Sequence, residues 1–346
     1  MPHVGIDLHK AQSQICVLLE DGQVLERRVL TRADRLRKVL QEHRGSPVLI
    51  EASTESHWVA RCLEDDGHTV IVADPNFAPM YGMRQRRSKT DLRDAQALAE
   101  ACRTGTYRRC HQASDESRAI RVELRVRAML VRQRAAQISL VRALARGDGG
   151  RIPNATSRSF VSQVRRSGLS ERLMVQLDPL LAMITALCDQ IAELDVRLAD
   201  RARDHATARL LCTAPAVGVI TALAFVSALD DAGRFTDSEE VASFLGLVPR
   251  EWSSAERHRF GHIHKAGPAQ LRWLLVEAAW RILLLKDPAS EPLRRWAQRI
   301  AVRRGRWIAI VALARRLGCV LYTMWRSGQP YSAARLTSRL AVGKVA

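Results

Sequence analysis

Asp91 and Asp94 stand three apart in RQRRSKTDLRDAQAL, residues 84–98, and at helical spacing they share one face, one turn apart. Carboxylates paired in this way hold hard divalent cations, and such cations bridging to phosphate remove the repulsion a phosphodiester feels from acidic side chains. Directly ahead lies a basic run, Arg84, Arg86, Arg87 and Lys89. Acid beside base points to metal-assisted chemistry on nucleic acid. An ordinary solvated helix start explains the same aspartates, because the macrodipole favours acids in a first turn.

Two further carboxylates occupy strand positions. Asp7 lies in VGIDLHK, residues 4–10, and Glu51 closes the apolar run Pro47–Ile50. A carboxylate simply buried at either place would be expensive.

The elements that must position these four acids follow from the hydrophobic pattern. Alternation around Glu20-Asp21-Gly22 predicts strands near 4–8, 12–19 and 23–30, an antiparallel opening. Leu36, Val39 and Leu40 give helical spacing over 31–43, residues 47–50 read as a buried strand, 56–65 as a helix and 68–73 as a strand. After Asp74-Pro75 and the arginine-rich loop, a helix runs from Asp91 to about Thr104. An acid on the first strand, another on the fourth and a D-x-x-D helix form the layout of a ribonuclease-H-like, resolvase-like α/β fold. Such a set can hold two divalent ions about 4 Å apart, clamping the attacking and leaving oxygens of a phosphodiester.

The rest of the chain is predicted mostly helical. Residues 115–146 lack Pro and Gly and carry eight arginines against three acids, a long basic helix. A second long helix is predicted from Asp178-Pro179 to about Ala206, since Asp suits a cap and Pro a first helical position. Its Leu180, Ile184, Leu187, Ile191, Leu194 and Leu198 step by four and three, a heptad seam. That seam fits a coiled-coil hairpin or dimer, and equally an ordinary bundle within the chain. Thr213–Gly218 followed by an apolar run resembles the turn of a helix-hairpin-helix. Twelve basic residues between Arg272 and Arg326 interleave with Trp273, Trp280, Trp296, Trp307 and Trp325, a pattern that suits nucleic acid although most of these rings would fill core. The expected domains are a carboxylate-bearing domain over 1–110, a long-helix region over 111–206 and a helical domain over 207–346.

Composition narrows the partners. The 346 residues carry 54 basic and 36 acidic side chains, net +18, and 47% are hydrophobic. That is enough for real cores and strongly favours a polyanion. No unbroken apolar run approaches the roughly 20 residues of a spanning helix. The start MPHVGIDLHK lacks the build of a signal peptide, so the expected location is cytoplasmic, at the nucleoid when acting, with no membrane. Seven scattered cysteines without a C-x-x-C pair speak against a zinc site or disulfide framework.

The ordered motifs GIDLHK, LIEAS, KTDLRDA, APAVG, GLVPREWSS and GHIHKAGPAQLRWLLVEAAW resemble the DEDD transposases of the insertion sequence 110 family, over about residues 3–335. The resemblance implies that Asp7, Glu51, Asp91 and Asp94 are a metal-binding, catalytic tetrad for magnesium, with a two-ion site possible. It implies a serine nucleophile just after the segment Gly246–Trp252, at Ser253 or Ser254, with Ser254 preferred. It further implies a phosphoserine intermediate, donor and target DNA, a structured bridge RNA that pairs with both, and a homo-oligomer, dimer or tetramer, in which one subunit's tetrad meets another's serine. A serine hydroxyl is a weak nucleophile and needs help with the developing charge. Arg250, Arg257, Arg259 and Lys265 are close in sequence to crowd the phosphate. Their neighbours His258, His262 and His264 suggest zinc, but no cysteine or carboxylate completes the set, and DNA contact or loop roles suit them better. The family commonly has Ser or Thr where His264 stands. Two other readings remain: a junction-resolving nuclease with water as nucleophile, and a non-catalytic nucleic-acid-binding protein.

Overall fold

The computed structural model describes residues 1–82, 91–254 and 257–334, and within them all side chains but those of 252–260. Three antiparallel strands open the chain, β1 (His3–Asp7), β2 (Gln12–Leu18) and β3 (Val24–Leu30). Next come α1 (Ala33–Leu40), β4 (Pro47–Glu51), α2 (Ser56–Glu64), β5 (Thr69–Ala73) and α3 (Asp91–Thr104). The sheet order is β3-β2-β1-β4-β5, with β4 parallel to β1 and β5 parallel to β4.

Alternation along the strands divides the core between the two faces of this sheet. Val4, Ile6, Val48 and Ile50 pack with Leu36 and Leu40 of α1 and Val59 and Leu63 of α2. Leu49 and Ile71 meet Leu98 and Cys102 of α3. Each such side chain, removed fully from water, contributes about 1.5–3 kcal/mol. Met1–Gln112 is thus one unit, a mixed α/β sheet with helices on both faces.

The second unit, Ala113–Ala346, is largely helical. Ser114 caps α4 (Asp115–Gly147) by accepting from the Ser117 N–H at 3.2 Å. α5 (Phe160–Arg165) and α6 (Glu171–Asp204) follow, and α6 runs antiparallel to α4. Glu123 pairs with Arg201 at 2.9 Å, Arg127 with Asp195 at 2.5 Å, and Val141 clusters with Leu177, Leu181 and Ile184. The helix begins earlier than Asp178-Pro179: Ser170 caps it by accepting from the Leu173 N–H at 3.3 Å. Pro179 therefore lies inside α6, where it removes a backbone bond and costs about 3 kcal/mol relative to Ala. Leu177 and Leu181, fully buried on either side of it, hold the helix through that point. They also move the start of the seam, since Leu180 and Leu187 are only half-buried.

The remaining elements are α7 (Ala206–Leu211), α8 (Val219–Leu229), α9 (Ser238–Phe244), β6 (Pro249–Ser254), β7 (Arg257–Ile263), α10 (Ala269–Leu284), α11 (Glu291–Arg304) and α12 (Arg306–Ser327). Phe225, Leu245, Leu275, Leu313 and Leu321 lie at the centre of this unit's core. Around Ser253 and Ser254, β6 and β7 form an antiparallel hairpin. The tryptophans divide as well. Trp280, Trp296 and Trp325 pack half-buried on the core, while Trp273 and Trp307 are 58% and 77% exposed.

By length and composition alone, α6 and α12 reach what a bilayer span requires, which a search for unbroken apolar runs overlooks. In α12 the apolar stretch is 61% buried within its own unit, as a core helix is; in α6 it is 28% buried.

Candidate active site

Gly5 fixes where α3 can cross the sheet. A Cβ there would lie 2.2 Å from Ala99 N and 2.3 Å from Ala95 O, so only glycine lets the helix backbone rest directly on β1. Asp7, two residues on, shares the Gly5 face of the strand. The register Val4↔Val48, Gly5↔Leu49, Ile6↔Ile50 leaves Asp7 and Glu51 as the last residues of these parallel neighbours, and the Glu51 charge reaches Asp7. Above them begins α3, with Asp91 and Asp94 in its first turn. The four acids that the sequence singles out are therefore gathered at the carboxyl ends of the sheet's inner strands.

Their environments differ. Asp7 and Asp94 are buried, 6% and 5% exposed, whereas Glu51 is half-buried and Asp91 exposed. Burial pushes the Asp7 carboxyl above the usual carboxylate range; the charges of Asp94, Asp91 and Glu51 push the same way, and His9 opposes them. His9 Nε2 lies 3.4 Å from Asp7 Oδ2 and 3.4 Å from Asp91 Oδ1. Asp7, His9 and Asp91 can present one ligand atom each within 4.8 Å of one another. The set fits a hard divalent cation: a buried carboxylate among like charges is costly by itself, and a cation would offset that cost. The sequence reading passed over His9, though its place two residues past Asp7 in the same short motif was the available signal.

The second candidate locus is the hairpin, and its base is locked by backbone contacts. Gly246, at φ +70°, would place a Cβ 2.0 Å from Ala266 O, and Gly267, at φ +81°, one 1.9 Å from Phe244 O. Across this junction Arg272 Nη1 donates to Leu245 O at 3.0 Å and to Ala266 O at 2.9 Å. His264 N donates to Val248 O at 3.1 Å, closing the hairpin base. The pairing then runs outward through Trp252↔Arg259 and Ser253↔His258 to Ser254↔Arg257. Ser254 is the last residue of β6, with Arg257 as its register partner.

Arg250 and Lys265 are exposed, and Lys265 takes a left-handed φ of 60°. The side chains of Ser254, Arg257, His258 and Arg259, and all of Arg84, Arg86, Arg87 and Lys89, lie outside the described residues. His264 Nδ1 accepts from the Ala266 N–H at 3.1 Å, a turn-forming role, and His262 is exposed. Among the described residues neither joins a metal-capable cluster.

The basic helix α4 is less open to phosphate than its composition suggests. Arg121 donates to Ser227 O, Arg127 pairs with Asp195, and Arg142 donates to Ile152 O and stacks over Phe160. Arg125, Arg132 and Arg146 remain exposed.

Known proteins carry the same arrangement of segments. Residues 4–147 match the profile of a DEDD transposase family typified by IS110, and residues 208–293 match that of the transposase IS116/IS110/IS902 family. The chain is 29% identical over 331 residues to a probable family 20 transposase of Pseudomonas aeruginosa, covering 94% of this chain and 96% of that one. It is 27% identical over 337 residues to the transposase for insertion sequence element IS1328 of Yersinia enterocolitica, covering 96% and 100%. To the transposase for insertion sequence element IS1111A of Coxiella burnetii it is 25% identical over 333 residues, covering 95% and 90%.

Proposed function

Starting from a chain that belongs to the IS110 family of DEDD transposases, we propose that it cuts and rejoins DNA through Ser254, with Asp7, Glu51, Asp91 and Asp94 as its metal-binding set. The observation that carries this reading is the gathering of four carboxylates at the ends of β1 and β4 beneath the start of α3. The strand order β3-β2-β1-β4-β5, antiparallel then parallel, supports a ribonuclease-H-like fold for this unit.

The oxygen donors of the four acids suit magnesium, which when bound supplies neutralisation of phosphate charge. Ser254 Oγ attacks phosphorus and loses its proton to solvent; the bond from phosphorus to one deoxyribose oxygen breaks, and that oxygen leaves as a hydroxyl after taking a proton. A second strand's hydroxyl reverses the step, restoring Ser254 and making the new phosphodiester. Arg250, Arg257, Arg259 and Lys265, grouped on the hairpin and its exit turn, stabilise the added negative charge. Arg84, Arg86, Arg87 and Lys89 hold the DNA backbone near the carboxylates.

A bridge RNA pairing with donor and target DNA supplies sequence choice, and the net charge of +18 supports a protein that holds backbones while pairing reads bases. The exposed Val122, Val126, Met129 and Leu140 on α4, spaced by steps of three and four and their sums, support an oligomer in which one subunit's carboxylates serve another's serine.

The test is incubation of the protein with magnesium, end-labelled donor and target DNA, and the noncoding RNA transcribed from the flanks of its gene. The expected result is a protein–DNA adduct that survives denaturation, lost in Ser254→Ala and in Asp7→Asn. An adduct that persists in Ser254→Ala overturns the nucleophile. Cleaved ends with free 5′-phosphate and no attached protein mean that water attacks instead.

A further inference from the structure

The corner between α11 and α12 has no part in the reaction proposed above. Gly305, at φ +87°, ends one helix and begins the next with no intervening loop. Every residue from Val302 to Ile308 is exposed. Trp307, 77% exposed, lies against the half-buried Trp280 of α10 with ring centroids 5.8 Å apart and planes inclined by only 16°. The Arg306 guanidinium sits 4.2 Å from the centre of the same Trp280 ring. Arg299, Arg303 and Arg304 stand exposed on α11, and among the described residues no carboxylate pairs with them or with Arg306. Glu291, the one acid of α11, is occupied by Arg294 and Arg295. The exposed acid nearest in sequence on α10 is Glu277, one turn before Trp280, with the exposed Arg281 four residues beyond it.

Core packing does not account for Trp307, which leaves most of its ring in water. A flat ring stacked on a half-buried neighbour and bordered by unpaired guanidinium groups is complementary to another flat ring on an anionic chain. An apolar protein surface would instead strip water from three or four arginines and give them no counter-charge.

The geometry points to this corner as a stacking platform for unpaired nucleotides: a base lies on Trp307 while adjoining phosphates meet Arg299, Arg303 and Arg304. It rests on membership of a DNA-acting family and is independent of the Ser254 assignment. Bases inside a duplex are already stacked, so the platform selects strands that are open, whether single-stranded DNA or the loops of an RNA.

The test uses the full-length protein and fluorescence anisotropy with labelled oligo(dT), oligo(rU) and a DNA duplex of the same length. Trp307→Ala is expected to weaken binding of single strands about tenfold and to leave duplex binding within about twofold, while Trp307→Phe keeps most of the affinity. Arg303→Gln with Arg304→Gln is expected to weaken all three and to flatten the salt dependence. Loss on the DNA strand alone or the RNA strand alone supports the platform and identifies which it serves; loss on both assigns it to either. Unchanged single-strand affinity in Trp307→Ala overturns the proposal, as does an equal loss on duplex. So does a Trp307→Ala protein that keeps its single-strand affinity but changes its sedimentation, which assigns the corner to a second copy of the chain, or loses binding to phosphatidylserine vesicles, which assigns it to a lipid surface.

Discussion

Asp7 and Asp94 sit between a five-stranded sheet and a helix, almost wholly removed from water, whereas Ser254 ends a strand in a sheet of two. The carboxylates are held by a core: Asp7 and Glu51 end paired strands, and shifting Asp91 or Asp94 means moving α3 across β1, where Gly5 allows the two backbones to touch. The serine is held at a distance, through a hairpin whose base is fixed by two left-handed glycines and one arginine. A metal set needs several ligands fixed at once, and packing does that at low entropic cost. If Ser254 is the nucleophile proposed above, it has to meet a DNA substrate that changes partners, and a hairpin anchored at its base suits that task.

The sharpest way to break this contrast is at Gly5. Gly5→Ala forces a methyl group against the backbone of Ala95 and Ala99, and overpacking of this kind costs on the order of 3 kcal/mol. Cys16 and Cys102, whose thiols burial pushes up to about 11, flank this contact and report on it. In the native chain these two thiols hold almost no thiolate at about pH 8, so iodoacetamide should leave both untouched. In Gly5→Ala both should alkylate, and magnesium affinity should fall with them. A protected Cys16 in that variant would mean that α3 is held by something other than its seat on β1.

The same logic applied to the hairpin should separate the two loci. Gly267→Ala combines a backbone strain of about 1–3 kcal/mol with a methyl group 1.9 Å from Phe244 O. It should remove the covalent adduct while magnesium affinity, measured by calorimetry, stays as in the native protein. Arg272→Gln leaves the part-buried Leu245 carbonyl and the exposed Ala266 carbonyl without their shared donor, a loss of about 1–2 kcal/mol, and should reduce the adduct without removing it. If either variant lost metal affinity instead, the two loci would not be independently held.

Much of the first unit was legible because strand alternation and helix periodicity are local: the ends of β4 and α3 follow from Pro47–Glu51 and Asp91–Thr104 read as they stand. What could not be read was anything decided by contact. Asp178-Pro179 has the composition of a helix start, yet Ser170 captures the cap because Leu177 and Leu181 pack on Phe160 and Val141 and extend the helix backwards. Ser253-Ser254 has the composition of a loop and becomes strand because the Gly246 and Gly267 junction brings β7 alongside. His9 was overlooked for a related reason: its place two residues past Asp7 is written in the motif, but that Asp91 comes to rest beside it is decided by contact.

His9 gives the smallest and most discriminating prediction. Its contacts to Asp7 and Asp91, at 3.4 Å each, are longer than good hydrogen bonds, and its side chain is 54% exposed. A polar contact so placed is worth at most about 1 kcal/mol, so His9→Gln should barely move the melting temperature. The informative measurement is metal affinity. Magnesium prefers oxygen donors, so if Asp7, Glu51, Asp91 and Asp94 form the set, His9→Gln should change its affinity by less than about threefold, while Asp7→Asn removes most of it. Manganese accepts imidazole more readily, and a loss in His9→Gln confined to manganese would show His9 entering the shell only for the softer ion. A large loss with magnesium would instead replace Glu51 and Asp94 by His9 in the ligand set. The site would then be built on the exposed edge of the cluster, and the burial of Asp7 and Asp94 would lose its role as the feature that separates this locus from the hairpin.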